Sequence, residues 1–291
     1  MSEGNGEAPL RTAFVFAGGG SLGAVHVGML EALLDHGCHA DFVVGTSIGA
    51  INGSYYAGHP SRQGADGLRR RWLEFKRPRV LPIRPLGGFL SLTARRNHII
   101  APGPLRRFIE ESLPAERIED AALPCHVVTT DLLNGEEVVL SDGPWATAVL
   151  ASCAVPGVFP PVHTAGRVLV DGGVCNNAPV SVACELGAER VVVLPTGVTC
   201  ASRQLPESAI GMAVQAITLA INAKLINDIR RWADRAAIAV VPPLCPLDVS
   251  PYDFTRAMEL ADVAAASTRA WLEGGGLERQ ELPHELEPHE H

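Results

Sequence analysis

A chain of 291 residues with 47% apolar side chains can bury a large core, and α/β folds of this size commonly form one domain, so length does not call for two. A net charge of −8 and the lack of a basic reader motif interleaved with aromatics speak against nucleic acid as a partner. No stretch reaches the ~18 uninterrupted apolar residues of a spanning helix, and seven cysteines scattered singly, without a C-x-x-C pair, suit buried free thiols better than a disulfide frame or a zinc site.

The first eleven residues are polar, lack a basic region followed by an apolar one, and read as a disordered N-terminus. A cytoplasmic protein, at most peripheral to a membrane, is expected. The run Thr12–Ala17 predicts a strand leading into Gly18-Gly19-Gly20-Ser21-Leu22-Gly23 and then a helix over Leu22–Asp35. Strand, glycine-rich turn and helix together make an anion hole, because backbone N–H groups converge there and the glycines admit a close neighbour. Gly18, Gly20 and Gly23 also satisfy the G-x-G-x-x-G spacing of a dinucleotide site. That use wants an acid at the C-terminal end of the next strand, and the nearest one, Asp41, stands at the other end.

The second strand, Asp41–Val44, runs into Gly45-Thr46-Ser47-Ile48-Gly49 and a helix over Ala50–Ala57. A serine between two glycines at a strand-to-helix junction is a nucleophile elbow: the turn strains the serine backbone, so Gly45 and Gly49 carry no colliding side chain. The hydroxyl of Ser47 then sits at a helix N-terminus, which favours developing negative charge. Consecutive strands usually lie side by side, which would put Ser47 beside Gly18–Gly20 and let that loop hold the oxyanion of an acyl-transfer intermediate.

Between Arg69 and Arg107, eleven Lys or Arg face a single acid, Glu74, with Pro and Gly interleaved. The segment reads as a basic cap-like excursion outside the central sheet, either a solvated face or a lid that meets an anionic lipid surface through Arg77, Arg79 and Arg84. Helix patterns follow at Pro104–Leu113, Trp145–Ser152, Pro179–Leu186, Ser208–Ala233 and Asp253–Leu272, and strand patterns at Cys125–Thr130, Glu136–Leu140, Arg167–Val170, Arg190–Leu194 and Ala236–Val241. The alternation predicts a three-layer α/β/α fold with a mostly parallel central sheet. The long 208–233 helix, apolar on most faces but carrying Gln215, Asn222 and Lys224, reads as buried or groove-lining. From 273 onward the chain is acidic and dotted with Pro and His, and reads as a disordered tail.

A serine nucleophile needs a base. Past the middle of the chain the only histidines are His163 and the tail residues His284, His289 and His291, and His59, His98, His126 and His163 all lie in unremarkable contexts. Asp171 is the alternative: it closes the strand 167–170 and precedes Gly172-Gly173, a tight turn that leaves room for substrate. A carboxylate there could equally be a turn former or a helix cap.

Taken together, the Gly18–Gly23 loop, the Ser47 elbow and Asp171-Gly172-Gly173 resemble the patatin-like phospholipase family. Ala151–Val162 is similar to the segment that precedes the aspartate strand in that family, and Asp171–Pro179 to its continuation, so the resemblance covers roughly 12–196. It implies a Ser47–Asp171 catalytic dyad without histidine and an oxyanion hole in the loop Gly18, Gly19, Gly20 and Ser21, in which the N–H groups of Gly19 and Gly20 are the donors and Gly18 serves the turn, with Gly23, Gly45, Gly49, Gly172 and Gly173 as supporting glycines. It implies cleavage of lipid acyl esters (phospholipase A, lysophospholipase-like or general carboxylesterase) through an acyl-enzyme, with no metal or cofactor, in a domain spanning 12–272. Family members often carry Arg or Lys at the position of Leu22; its absence takes a positive charge from the loop and leaves a neutral lipid or small ester open. The competing readings are a nucleotide-binding protein using Gly18–Gly23 and an inactive lipid-binding module.

Overall fold

The computed structural model describes residues 10–74, 98–197, 209–245, 249, 253–279 and 281–286. In chain order the strands are β1 (Thr12–Phe16), β2 (Phe42–Thr46), β3 (Cys125–Asp131), β4 (Glu137–Leu140), β5 (Val162–Thr164), β6 (Arg167–Asp171), β7 (Arg190–Leu194) and β8 (Ala237–Val240). The helices are α1 (Val25–Asp35), α2 (Ile48–Gly58), α3 (Arg62–Glu74), α4 (Gly103–Glu110), α5 (Trp145–Ser152), α6 (Val180–Glu185), α7 (Ala209–Trp232) and α8 (Ala257–Glu273). All strands join one sheet in the order β5-β6-β3-β2-β1-β7-β8, with β4 paired to β3. The pairs β3-β2, β2-β1, β1-β7 and β7-β8 are parallel, and β4 and β6 run antiparallel to β3.

Side-chain alternation along the strands splits the core in two. Phe14, Phe16, Val43, Val192 and Leu194 face one layer with α1, α2, α3, α5 and α8. Ala13, Val15, Phe42, Val44, Val191 and Val193 face the other with α6 and the C-terminal part of α7. A parallel sheet covered on both faces needs apolar residues at both parities, which is why these strands read as unbroken apolar runs. Phe14, Phe16 and Phe42 are fully buried, each contributing roughly 1.5–3 kcal/mol relative to exposure. The α/β/α architecture matches the expected fold class.

The registers place the catalytic candidates. Val127 and Val128 of β3 pair with β2 on one side and β4 on the other, while Thr129 and Thr130 pair with β6 and again with β4. A strand has two edges, so β2 and β6 share the edge opposite β4 and meet there end to end. The C-terminus of β2 (Thr46, beside Val128) points at the C-terminus of β6 (Asp171, beside Thr129). Ser47 and Asp171, 124 residues apart in sequence, are brought face to face by the shared edge.

Several elements differ from expectation. Helix α3 occupies the start of the basic segment, burying Ala65, Leu68 and Trp72, and Arg69 is no lid residue: it forks onto buried Glu31 of α1 and reaches Asp262 of α8, each at 2.7 Å. Residues 75–97, with Arg77, Arg79 and Arg84, lie outside the described residues. The chain from 281 to 286 is not a free tail, since Leu286 is buried and packs with Leu282 on the second core. Cys245 is disulfide-bonded, which corrects the reading of all seven cysteines as free thiols; Cys38, Cys125, Cys153, Cys175 and Cys184 are free. Helix α7 is neither buried nor groove-lining along its length. Its C-terminal part buries Leu225, Ile229 and Trp232, whereas Met212, Ile217 and Leu219 are exposed, because 24 helical residues outrun the five of β7. No helix among the described residues is long and apolar enough to cross a membrane.

Candidate active site

Ser47 sits between β2 and α2 with φ 55° and ψ −125°, a strained turn conformation at the N-cap of the helix. Glycine is required on either side by contact. A Cβ on Gly45 would lie 2.6 Å from the Gly49 carbonyl oxygen, and one on Gly49 would strike the carbonyls of Phe16 and Ala17 at the end of β1. The backbone is pinned as well: the Ser47 N–H donates to Ser152 Oγ at 2.8 Å, and that hydroxyl donates to the Val128 carbonyl at 2.6 Å.

The Ser47 hydroxyl donates to Asp171 Oδ2 at 2.6 Å, and the other carboxylate oxygen accepts from the Gly173 N–H at 2.7 Å. Asp171 is buried, and burial raises its pKa from 3.8 to about 6, against the lowering effect of those two hydrogen bonds. Gly172 packs against the Val128 carbonyl so closely that no Cβ fits, which seats the turn after Asp171 on β3. Cys153 lies alongside, its Sγ donating to the Ser47 carbonyl at 3.3 Å; burial and then the Asp171 carboxylate hold its thiol well above the usual range. It stays protonated, so the hydroxyl of Ser47 is the nucleophile candidate here.

The glycine loop borders the serine, since a Cβ on Gly18 would stand 3.3 Å from Ser47 Cβ. Its parts are not equivalent. The Gly18 N–H donates to the Asn177 carbonyl at 2.9 Å, so Gly18 serves the turn and is not an oxyanion donor. Its own carbonyl accepts from Thr196 Oγ1 at 2.6 Å and Asn177 Nδ2 at 3.2 Å. Among the described residues no acceptor faces the N–H groups of Gly19 and Gly20, where Gly20 has φ 60°. Ser21 is fully buried inside the 3-10 turn Gly20–Ala24, and Gly23 packs on Ile48.

Histidines lie elsewhere. His163 is exposed on β5 opposite Val168. His126 faces Ser141 Oγ at 2.6 Å. His26 is fully buried; its Nε2 meets the Leu194 carbonyl at 2.9 Å, its Nδ1 meets Asn52 Nδ2 at 3.0 Å, and burial lowers its pKa to about 3. The pairing fixes a neutral ring with the proton on Nε2. Asn52 also donates to the Gly23 carbonyl at 2.9 Å and accepts from Trp72 Nε1 at 3.0 Å, tying the loop to α2 and α3. Sequence reading passed over this network, as it did the roles of Ser152, Asn177 and Thr196; the Asn176-Asn177 pair after Asp171 was the one visible signal. Asp41, the acid nearest the loop in sequence, accepts from the Thr12 N–H at 2.6 Å at the start of the strands, the opposite end of the sheet from Gly18. Among the described residues no three His, Cys, Asp or Glu side chains converge as a metal site needs.

The sequence profile of the patatin-like phospholipases matches residues 14–184. Patatin-like phospholipase domain-containing protein 6 of Mus musculus is 33% identical over 187 residues, 64% of this chain and 13% of that protein. Neuropathy target esterase sws of Drosophila melanogaster is 29% identical over 185 residues, 63% of this chain and again 13% of the relative. The chain thus matches a small fraction of the length of these relatives. Among solved structures, VipD from Legionella pneumophila aligns with a TM-score of 0.49 at 15% identity, covering 92% of this chain and 67% of that one.

Proposed function

Because the chain belongs to the patatin-like phospholipase family, we propose that it is a serine acyl hydrolase that cleaves lipid acyl esters through Ser47 and Asp171. The observation that carries this reading is the 2.6 Å bond from Ser47 Oγ to Asp171 Oδ2, made by a serine on a strained elbow beside backbone donors that no described residue engages. Ser47 Oγ attacks the ester carbonyl carbon and its proton passes to Asp171 Oδ2. The N–H groups of Gly19 and Gly20 hold the oxyanion of the tetrahedral intermediate. Asp171 returns the proton to the leaving alkoxide, then draws one from water, which attacks the acyl-enzyme and regenerates both residues.

A carboxylate is a weak base for a serine hydroxyl, and two features narrow the gap. Burial lifts Asp171 to about 6, and the N-terminus of α2 favours negative charge on Ser47. The network on the Gly18 carbonyl, from Asn177 and Thr196, holds the loop in place beside Ser47.

The base must be ionised to act, so activity on a soluble ester such as p-nitrophenyl butyrate should be lost as pH falls through about 6. The kcat/KM profile of the purified protein checks this. No turnover at any pH would contradict the assignment, and a limb near 4 would contradict the burial of Asp171 as its cause.

A further inference from the structure

Seven of the eleven exposed large apolar side chains among the described residues belong to segments that border or overhang one edge of the sheet, the edge that carries Ser47. Leu133 (80% exposed) and Leu132 (49%) sit on the turn that follows β3, Val174 (60%) on the turn after Asp171, and Val155 (39%) next to Ala154, whose carbonyl binds the Asp171 N–H. The remaining three, Met212 (50%), Ile217 (59%) and Leu219 (55%), lie on the N-terminal part of α7.

The position of that part follows from topology. β7 and β8 are parallel, so α7 between them must run back from the active-site edge to the start of β8. Its buried residues, Leu225, Ile229 and Trp232, are at the returning end. At 1.5 Å per residue the 24-residue helix is roughly 36 Å long, against roughly 17 Å for the five residues of β7. Among the described residues of the helix Leu225 is the first to be buried in the second core, so the covered part begins there. Residues 211–223 therefore extend roughly 20 Å past the covered part, on the side of the active-site edge.

Among the described residues the basic side chains at this edge are paired: beside the Leu132–Leu133 turn Arg167 bonds Asp131 at 3.1 Å and Glu136 at 3.0 Å, with Glu137 exposed next to them. Asp, Glu, Lys and Arg are absent from 17–23, 45–49, 132–135, 153–161, 172–184, 195–197 and 211–223. Lys224, at the root of the overhang, is paired with Asp228 at 2.7 Å. Apolar side chains presented together at this edge, with no unpaired basic side chain among the described residues beside them, match the acyl region of a lipid surface and offer nothing to anionic headgroups. A protein partner seated on the same edge would cover Ser47, whereas a lipid surface delivers the ester to it.

We infer that the overhanging turns of α7 (211–223) and the Leu132–Leu133 turn insert into the surface of an uncharged lipid aggregate and seat the Ser47 site on it. The inference rests on the acyl-hydrolase reading for its substrate but not for its test. Phosphatidylcholine vesicles, sedimented with the whole protein at 0.1 and 0.5 M NaCl, provide the measurement. The wild-type protein should bind with less than ~2-fold dependence on salt. Ile217→Glu/Leu219→Glu should weaken binding ~10-fold or more, as should Leu133→Glu on a separate element, while p-nitrophenyl butyrate turnover stays within ~2-fold in both.

No binding by the wild type, binding that needs anionic lipid and vanishes at high salt, or unchanged binding by both variants would overturn the inference. So would a dimer in analytical ultracentrifugation that the substitutions dissociate, since the face would then belong to a second copy. Absence of ester turnover by the wild type would count against the catalytic reading alone.

Discussion

A Ser47→Ala protein is expected to lose ester hydrolysis by ~10³-fold or more while keeping its fold. The substitution deletes one oxygen whose partner is Asp171 Oδ2, and it deletes nothing from the two cores. The backbone stays where it was, since alanine meets the same positive φ as serine and the bond from the Ser47 N–H to Ser152 does not involve the side chain. Without the nucleophile no acyl-enzyme can form, and the residual rate is whatever the loop donors give to attack by water. Turnover of p-nitrophenyl butyrate beside the far-UV circular dichroism spectrum checks both halves. A folded Ser47→Ala protein that still turns over the ester would remove the basis of the mechanism.

Asp171→Asn should cost about as much activity and, at neutral pH, make the protein more stable. The amide keeps the size of the side chain and can accept from Gly173, but it takes no proton. The stability sign follows from the raised pKa. Between 3.8 and about 6 the folded chain holds a proton that the unfolded chain has released, so the stabilisation present at low pH is lost as pH rises through 6. Asparagine has no such loss. At pH 7 the variant should be more stable by up to about 3 kcal/mol, a gain that fades below pH 4. Thermal melts at pH 4 and 7 beside the kinetics test the pair of effects together. His163→Gln, on exposed β5, should change neither; an essential His163 with a dispensable Asp171 would refute the dyad.

What could be read from the sequence was local turn chemistry and strand parity. The elbow around Ser47 and the Asp171-Gly172-Gly173 turn announce themselves because only certain residues fit their backbone, and the apolar runs of β1, β2 and β7 show because both sheet faces are covered. The convergence of β2 and β6 end to end on β3 was not legible, for it depends on which edge each strand takes. The partner that holds Gly18 in its turn was hidden for a related reason, since Asn177 lies 159 positions away. Helix α3 was hidden by its charges, though Ala65, Leu68 and Trp72 have helical spacing. The long α7 carries the opposite lesson. Its apolar composition argued for burial, yet how much of a helix is covered is decided by the length of the strands it lies against.

Labelling the intact protein with a fluorophosphonate and locating the adduct by peptide mass spectrometry tests the central claim most directly. An activated serine beside an oxyanion hole attacks phosphorus and retains the phosphonyl group, whereas an ordinary surface serine does not react. The account predicts a single adduct on Ser47 that disappears in Asp171→Asn. An unmodified Ser47 in the folded protein, or an adduct on another serine with Ser47 untouched, would contradict it.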